Sequence, residues 1–147
     1  MDTTQNPQTN SPQSNLASAD GLVWMAVGAL VLALAVMLGA FGAHGLKETV
    51  SAARMAVYQT AVQYHFYHGL GLLLLGLVMQ TLPALPGLRW VARLLLVGIM
   101  LFSGSLYMLV FLDLPWLGMV TPIGGLLFIV AWLLFAQRLL KQAFAKT

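Results

Sequence analysis

The sequence contains no cysteine and few charged residues. The absence of cysteine excludes disulfides, iron–sulfur clusters, thiolate zinc sites and cysteine nucleophiles. Charged residues make up 7% of the 147 residues, whereas soluble domains carry about 25%. Apolar residues make up 60% of the chain, and the mean hydropathy is +0.86. This composition indicates an integral membrane protein and leaves no segment long enough for an independent soluble domain.

The charged side chains that are present lie outside four long uncharged stretches. Each stretch has about the 20 residues that an α-helix needs to cross a bilayer. We therefore predict an all-α, integral membrane four-helix bundle over residues 21–137. The predicted spans cover about 21–43, 61–80, 94–112 and 115–137. A disordered tail over 1–20, rich in Asn, Gln, Ser and Thr, is expected before this domain. A basic cytoplasmic tail over 138–147 is expected after it.

The connections between the spans carry helix and turn signals. Residues 44–60 (HGLKETVSAARMAVYQT) are rich in helix formers and lack proline, which predicts a short surface helix between spans one and two. Thr49 or Ser51 is the expected cap of this helix. The short connection before Pro115 makes spans three and four an antiparallel hairpin. Pro122 lacks an amide hydrogen, so we expect a kink inside span four.

Lysine and arginine are unevenly distributed between the two ends of such a bundle. Five fall on the side of the two termini and two on the other: Arg89, Arg93, Arg138, Lys141 and Lys146 against Lys47 and Arg54. Because basic residues accumulate on the cytoplasmic side, both termini are predicted to lie in the cytoplasm. These scattered residues form no basic face, so the expected partner is the lipid bilayer and not nucleic acid.

Small residues recur along one face of span one, at spacings of seven, four and three. In lipid, such a stripe lets a neighbouring helix approach closely, so that packing contacts hold the two helices together. The residues predicted to serve helix packing are Gly28, Ala35, Gly39, Gly42, Pro122 and Gly125.

Up-and-down threading of four spans brings most of their polar side chains to one end of the bundle. Steps of three and four residues place Tyr58, His65 and His68 on a single stripe of a continuous helix. Polar groups inside a bilayer face the bundle interior and hydrogen-bond across helices. The predicted polar cluster, structural or ligand-binding, comprises His44, Arg54, Tyr58, His65, His68, Ser105, Tyr107 and Thr121.

Two interpretations of this polar cluster stay open. In the first, the histidines are neutral and hydrogen-bond to hydroxyls and carbonyls. In the second, they bind a ligand: His44, His65 and His68 are candidates for a metal site, with a carboxylate such as Asp113, and haem or quinone is a further alternative. No cofactor is predicted. Enzymatic activity is not expected, because FSGSLY (102–107) lacks a nucleophile-elbow pattern.

Four blocks of sequence resemble one known family. They are LGAFGAHGLK, YQTAVQYHFYHGLGLLLLG, LFSGSLYMLV and TPIGGLLFIVAWLLF, in this order between about Leu22 and Ala136. They are similar to the domain of unknown function 423 family of small multi-pass membrane proteins. The resemblance implies a four-helix protein of the bacterial cytoplasmic membrane without an established activity. It also implies a shared GAFGAHG stretch and a histidine in the second block, matched here by His44 and by His65 or His68.

Together these observations predict a non-enzymatic structural or accessory membrane component. It is expected to pack with a second copy of itself, as a homo-oligomer, or with a larger membrane complex through its small-residue faces. The alternative is a membrane protein that binds a metal, haem or quinone through the outer histidine cluster.

Overall fold

The computed structural model describes the backbone of residues 12–82 and 85–145, and side chains from residue 19 onward within these ranges. Within these described residues, four helices are long and apolar enough to cross a membrane. They are α1 (Pro12–Phe41), α2 (Ala52–Thr81), α3 (Leu88–Leu112) and α4 (Thr121–Phe144). A π-helical turn, Gly42–Leu46, follows α1, and a 3-10 turn, Pro115–Met119, precedes α4. The predicted all-α four-helix fold is confirmed.

The helices run up and down, and neighbours in sequence are neighbours in space. α1 packs on α2, α2 on α3 and α3 on α4. Ion pairs show which helix ends lie together. Arg89 pairs with Asp20 at one end of the bundle, and Arg54 pairs with Asp113 at the other. Of the most apolar stretches, only 17% is buried in α1 and 22% in α4, against 44% in both α2 and α3. α2 and α3 therefore form the centre of the molecule.

Two helix starts differ from the prediction. α1 begins at Pro12, so residues 12–20, which were expected to be disordered, are helical. Proline fits the first turn of a helix, and each further residue adds a hydrogen bond once a helix is nucleated. The rest of the predicted tail, residues 1–11, lies outside the described residues, as do the last two residues of the chain. α3 begins at Leu88, directly after Gly87, which has a positive φ of 83° and turns the chain into the helix.

The predicted surface helix, which was expected to lead into span two, forms one element with it. It forms the first turns of α2, which runs without interruption from Ala52 to Thr81. No proline or glycine interrupts 52–68, so the backbone hydrogen bonds continue through this segment. Ser51 caps the helix by accepting a hydrogen bond from the backbone N–H of Arg54, and Thr49 instead donates to the Leu46 carbonyl. The chain therefore reverses before Ser51, in the π-helical turn and the residues after it.

Pro122 does not kink the fourth span from within. It lies in the first turn of α4, after the 3-10 turn has ended at Met119. The first N–H groups of a helix have no partner inside it, so proline costs no hydrogen bond there. The predicted single helix over 115–137 is thus a 3-10 turn followed by α4, and the break falls between these two elements.

The small residues of α1, and Gly42 in the π-helical turn after it, pack against α2 of the same chain. Gly28, Ala35 and Gly42 are buried at intervals of seven residues. A Cβ added at Gly28 would lie 2.6 Å from the backbone nitrogen of Leu73, and one added at Gly42 would lie 2.5 Å from the Tyr58 ring. Real Cβ atoms do not approach other atoms so closely. Glycine at these positions therefore sets the distance between α1 and α2.

Glycine also brings α3 and α4 together, but at a position that the sequence prediction missed. A Cβ at Gly124 would lie 2.4 Å from the backbone nitrogen of Phe102. Gly125, which was predicted to serve this packing, comes no nearer than 3.6 Å to the Phe102 ring, and Pro122 is exposed. Gly39 is intermediate, because its Cβ would lie 3.4 Å from Val62.

The core divides into two clusters that occupy opposite halves of the bundle. In one half, which we call the apolar half, α2, α3 and α4 bury aliphatic and aromatic side chains, among them Leu72, Leu75, Val91, Leu95, Phe128 and Phe135. In the other, which we call the polar half, the cluster contains Leu46, Tyr58, Ala61, Leu106, Tyr107 and Val110. The candidate site residues lie mainly in the polar half and at its boundary with the apolar half.

Candidate functional site

Two hydrogen bonds and one contact between aromatic rings link α1, α2 and α3 in the polar half. His65 and Tyr107 are both buried, and the His65 Nδ1 lies 3.3 Å from the Tyr107 hydroxyl. The rings of Tyr107 and Tyr58 have their centroids 5.3 Å apart. Tyr58 in turn donates a hydrogen bond of 2.7 Å to the Leu38 carbonyl of α1. These three residues of the predicted cluster are thus brought together, and they connect three helices.

The second histidine of α2 is held by a different set of contacts. His68 Nδ1 lies 2.8 Å from the Tyr64 carbonyl one turn earlier, so this nitrogen carries the hydrogen and donates it. The His68 ring stacks on Phe128 of α4 with an angle of 8° between the planes. His68 therefore faces α4, whereas His65 bonds to α3.

A second polar pair joins α3 to the start of α4. The hydroxyl oxygens of Ser105 and Thr121 are 2.9 Å apart. Ser105 also lies 2.9 Å from the Phe102 carbonyl. Either hydroxyl can be the donor of this pair, because each also has a carbonyl acceptor on its own chain segment, Phe102 for Ser105 and Leu117, at 3.5 Å, for Thr121. The two predicted cluster residues therefore form one hydrogen bond between neighbouring helices.

Arg54 and Asp113 form an ion pair where the polar half ends, and both side chains are partly or largely exposed. Asp113 closes α3 with a left-handed backbone, φ 55°, which aspartate tolerates better than most residues. The pair connects the beginning of α2 to the turn after α3. It is a surface contact and does not reach the buried hydroxyls and imidazoles.

His44 does not join the other two histidines in a metal site. It is exposed on the π-helical turn after α1. Within the part of the chain that the structure describes, no three side chains of the His, Cys, Asp and Glu types lie close enough together to hold a metal ion. The metal-binding alternative is therefore not favoured.

Ser103 is a functional candidate that sequence reasoning missed. Its side chain is fully buried, and its hydroxyl has no hydrogen-bond partner among the described residues. Ser103, His65 and Tyr107 line a cavity of about 280 Å³ whose other walls are largely aliphatic. The signal in the sequence is the spacing, since Ser103 and Tyr107 are four residues apart and share a helix face, whereas Ser105 points elsewhere.

A second concave surface lies between α2 and α4. This groove has a volume of about 720 Å³ and is lined by aromatic side chains and by exposed aliphatic residues of α4. Tyr64 and Phe102 stack in it with ring centroids 4.4 Å apart. We call it the aromatic groove; its lining includes Tyr64, His68, Phe102, Phe128, Ile129 and Trp132.

Comparison with known proteins gives one consistent result. Residues 38–125 match the family described as Protein of unknown function (DUF423). A UPF0382 membrane protein of Staphylococcus epidermidis is 46% identical over 121 residues, which cover 82% of this chain and 98% of the relative. A UPF0382 membrane protein of Bacillus subtilis is 40% identical over 119 residues, covering 81% and 97%. No solved structure matches the chain.

Proposed function

Because the chain belongs to the DUF423 family of membrane proteins, whose function is unknown, we propose a role that rests on the chain's own surfaces. The protein is a non-enzymatic component of the bacterial cytoplasmic membrane that packs laterally with a second copy or with a larger membrane complex. The observation that carries this proposal is the use of the polar cluster in contacts between helices.

The polar side chains of the cluster make contacts between helices, and this supports the structural role that we propose for them. His65 bonds to Tyr107, Ser105 to Thr121, and Tyr58 to the backbone of α1. Each contact joins two helices in a region where lipid offers no hydrogen-bond partner. Such pairs stabilise the bundle, and this favours a structural role for the cluster.

The surface available to a partner differs from the one that the small-residue stripe suggested. That stripe is covered by α2, so lateral packing must use other faces. The aromatic groove is concave, and the outer face of α4 beside it is largely unburied. Aromatic side chains supply large contact areas at interfaces, which makes this groove the favoured contact surface.

Photo-crosslinking in native membranes tests this proposal. A photoreactive residue at Ile129 lies in the aromatic groove, and the matched control at Leu30 is an exposed apolar position of α1. We expect a protein adduct from position 129 and none from position 30. An adduct at the size of a dimer identifies a second copy, and any other adduct identifies a partner complex. Lipid adducts alone at both positions would contradict the proposal.

We also propose that both termini face the cytoplasm. Arg89 pairs with Asp20, and Arg138 lies 3.3 Å from a Cβ added at Gly87, so these basic residues share one end of the bundle. Arg54, at the other end, is already paired with Asp113. The excess of lysine and arginine at the first end favours its placement in the cytoplasm.

The absence of cysteine makes this orientation simple to test. A single cysteine in place of Ala145 is expected to resist a membrane-impermeant maleimide in intact cells and to react after lysis. A single cysteine in place of Glu48 is expected to react in intact cells. The reverse pattern of labelling would place both termini outside.

A further inference from the structure

The aromatic groove between α2 and α4 contains a hydrogen-bond acceptor that none of the contacts described above uses. This acceptor is Nε2, the second ring nitrogen of His68. We propose that the groove binds a lipophilic molecule whose aromatic ring carries a hydroxyl group, and that this hydroxyl donates a hydrogen bond to His68 Nε2. The proposal goes beyond the lateral packing proposed above, and it is tested without a protein partner.

The hydrogen bond at the other ring nitrogen determines what Nε2 can do. His68 Nδ1 donates its hydrogen to the Tyr64 carbonyl at 2.8 Å. The apolar surroundings favour the neutral imidazole, in which only one of the two nitrogens carries a hydrogen. Nε2 therefore has a free lone pair. It selects a ligand with a donor group and does not bind one that offers only an acceptor.

His68 Nε2 is unpaired and is open to the groove. The residue is 7% exposed and lines the groove, and Nε2 has no hydrogen-bond partner among the described residues. Among these residues, only the Ser103 hydroxyl is both unpaired and completely enclosed, so Nε2 is not enclosed. An acceptor without a donor is costly where lipid supplies none. A bound hydroxyl would remove this cost.

The walls of the groove suit an aromatic ring. The groove has a volume of about 720 Å³, and aromatic side chains of α2, α3 and α4 line it. Tyr64 stacks on Phe102 with ring centroids 4.4 Å apart, and His68 stacks on Phe128. Aromatic rings attract one another in offset and tilted arrangements, so a flat ring can extend these stacks. An aliphatic alcohol lacks this contact.

Trp132 supplies a hydrogen-bond donor in the same groove. Its indole N–H makes no hydrogen bond within the described part of the chain, and its ring centroid lies 6.3 Å from that of His68. The indole nitrogen only donates, whereas His68 Nε2 only accepts. A hydroxyl group matches both, because its hydrogen can bond to His68 while its oxygen accepts from Trp132.

The outer rim of the groove gives access from the bilayer. Leu126, Ile129 and Leu133 of α4 line the groove and are 60%, 58% and 66% exposed. These side chains face lipid in a membrane-spanning helix. A molecule dissolved in the bilayer can therefore enter the groove from the side and leave its aliphatic chain in the lipid.

Nitrogen NMR of the histidines tests the proposal. The full chain is labelled with ¹⁵N-histidine and placed in nanodiscs, one chain per disc, and 4-octylphenol is added as the probe. A hydrogen bond to the lone pair moves the Nε2 resonance to lower chemical shift. We expect this change at His68, saturating at one probe per chain, and none at His44 or His65.

Two further probes separate the hydroxyl from the ring. The methyl ether 4-octylanisole has the ring without the donor, and it is expected to leave the His68 resonance unchanged. The aliphatic alcohol 1-decanol has the donor without the ring, and it is expected to bind more weakly than 4-octylphenol because it cannot stack.

Two pairs of variants locate the bound probe. Trp132→Phe removes the N–H and is expected to weaken binding about tenfold, as the loss of one hydrogen bond of about 1.4 kcal/mol would. Trp24→Phe, in α1 outside the groove, is expected to keep the affinity. A Cβ at Gly125 meets Phe102 at an ordinary 3.6 Å, so Gly125→Leu is expected to fold and to exclude the probe. Gly104→Leu, outside the groove, is the matched control.

The outcomes decide the proposal. A change at His68 that requires the phenolic hydroxyl and is lost in Gly125→Leu supports it. No change at His68, or an equal change with 4-octylanisole, overturns it, as does 1-decanol binding as tightly as 4-octylphenol. An affinity that is unchanged in both Trp132→Phe and Gly125→Leu would place the probe outside the groove and also overturn it.

Discussion

The two halves of this bundle are held together by different interactions. In the apolar half, glycine brings backbones together and aliphatic side chains fill the remaining space, as Gly28 does against Leu73. The polar half also has a close glycine contact, Gly42 against Tyr58, and adds hydrogen bonds between helices, such as that between His65 and Tyr107. Since lipid is as apolar as leucine, no expulsion of water drives either contact. The comparison shows how one small bundle combines close packing and hydrogen bonding to replace the hydrophobic effect.

The difference between the halves predicts that crowding the apolar half has the largest effect. Gly28→Ala places a methyl group 2.6 Å from the backbone of Leu73, and overpacking of this kind costs about 1–3 kcal/mol. Gly104→Ala adds the same methyl group where no atom lies within 4 Å, and it gains up to about 1 kcal/mol of helix propensity. Thermal unfolding in detergent measures both. Equal stability of the two variants would contradict the close-packing account.

Removal of one hydrogen bond from the polar half has the next largest effect. Tyr107→Phe deletes the hydroxyl that contacts His65 and is expected to cost about 1 kcal/mol. Tyr67→Phe is the control, because the Tyr67 hydroxyl accepts a hydrogen bond from Gln63 on the same exposed helix face and joins no second helix. Unfolding in a denaturing detergent mixture compares the two variants. A Tyr67→Phe loss as large as that of Tyr107→Phe would argue against a special role for bonds between helices.

The pair between α3 and α4 gives a smaller and more specific effect. A double-mutant cycle with Ser105→Ala and Thr121→Val isolates the hydrogen bond between their hydroxyls. Hydrogen bonds between membrane helices average about 0.6 kcal/mol, and we expect a coupling energy of this size. The same cycle on Ser103→Ala and Thr121→Val is expected to give none, since Ser103 has no partner there. Additive effects for Ser105 and Thr121 would show that the bond does not stabilise the fold.

The ion pair at the end of the polar half has the smallest expected effect. The side chains of Arg54 and Asp113 are exposed, so water competes with the ion pair for their charged groups. Asp113→Asn is therefore expected to lower the free energy of unfolding by less than about 0.5 kcal/mol. This cost should shrink as salt is added, because salt screens exposed charges. The double variant Arg54→Ala with Asp113→Asn is expected to lose no more than the two single variants, because each of them already removes the pair. A large cost that is independent of salt would show that the pair is buried in the membrane-embedded protein.

The sequence predicted the helices well because hydropathy over about 20 residues is a strong signal for a membrane span. It also placed Tyr58, His65 and His68 on one stripe of α2, and the structure has all three buried. The surface helix was predicted to lead into span two, and the structure joins both in one helix that starts at Ala52, although the apolar run begins only at residue 61. The periodicity of apolar residues indicates which face of a helix is buried, but it does not indicate where a continuous helix leaves the membrane.

The pairing of the site residues was beyond the reach of the sequence. The prediction of close packing at Gly28 and Gly42 gave no information on whether the neighbour is a helix of the same chain or of another. The sequence prediction also named Gly125 instead of Gly124. These neighbours differ by about 100° around the helix axis, so only Gly124 faces the backbone of α3. Ser103 was not singled out from the sequence, since only the tertiary structure reveals that its buried hydroxyl has no partner among the described residues.

The small residues of α1 are covered by α2 of the same chain, and this contact determines how the first two helices pack. Gly39 and Val62 test it directly, because a Cβ at Gly39 lies 3.4 Å from Val62 Cγ1, within reach of a disulfide. In the cysteine-free background, the variant with Gly39→Cys and Val62→Cys is expected to form a disulfide within one chain upon oxidation in membranes. Gly39→Cys alone is expected to stay monomeric. A covalent dimer from Gly39→Cys alone, with no intrachain disulfide in the double variant, would contradict the claim.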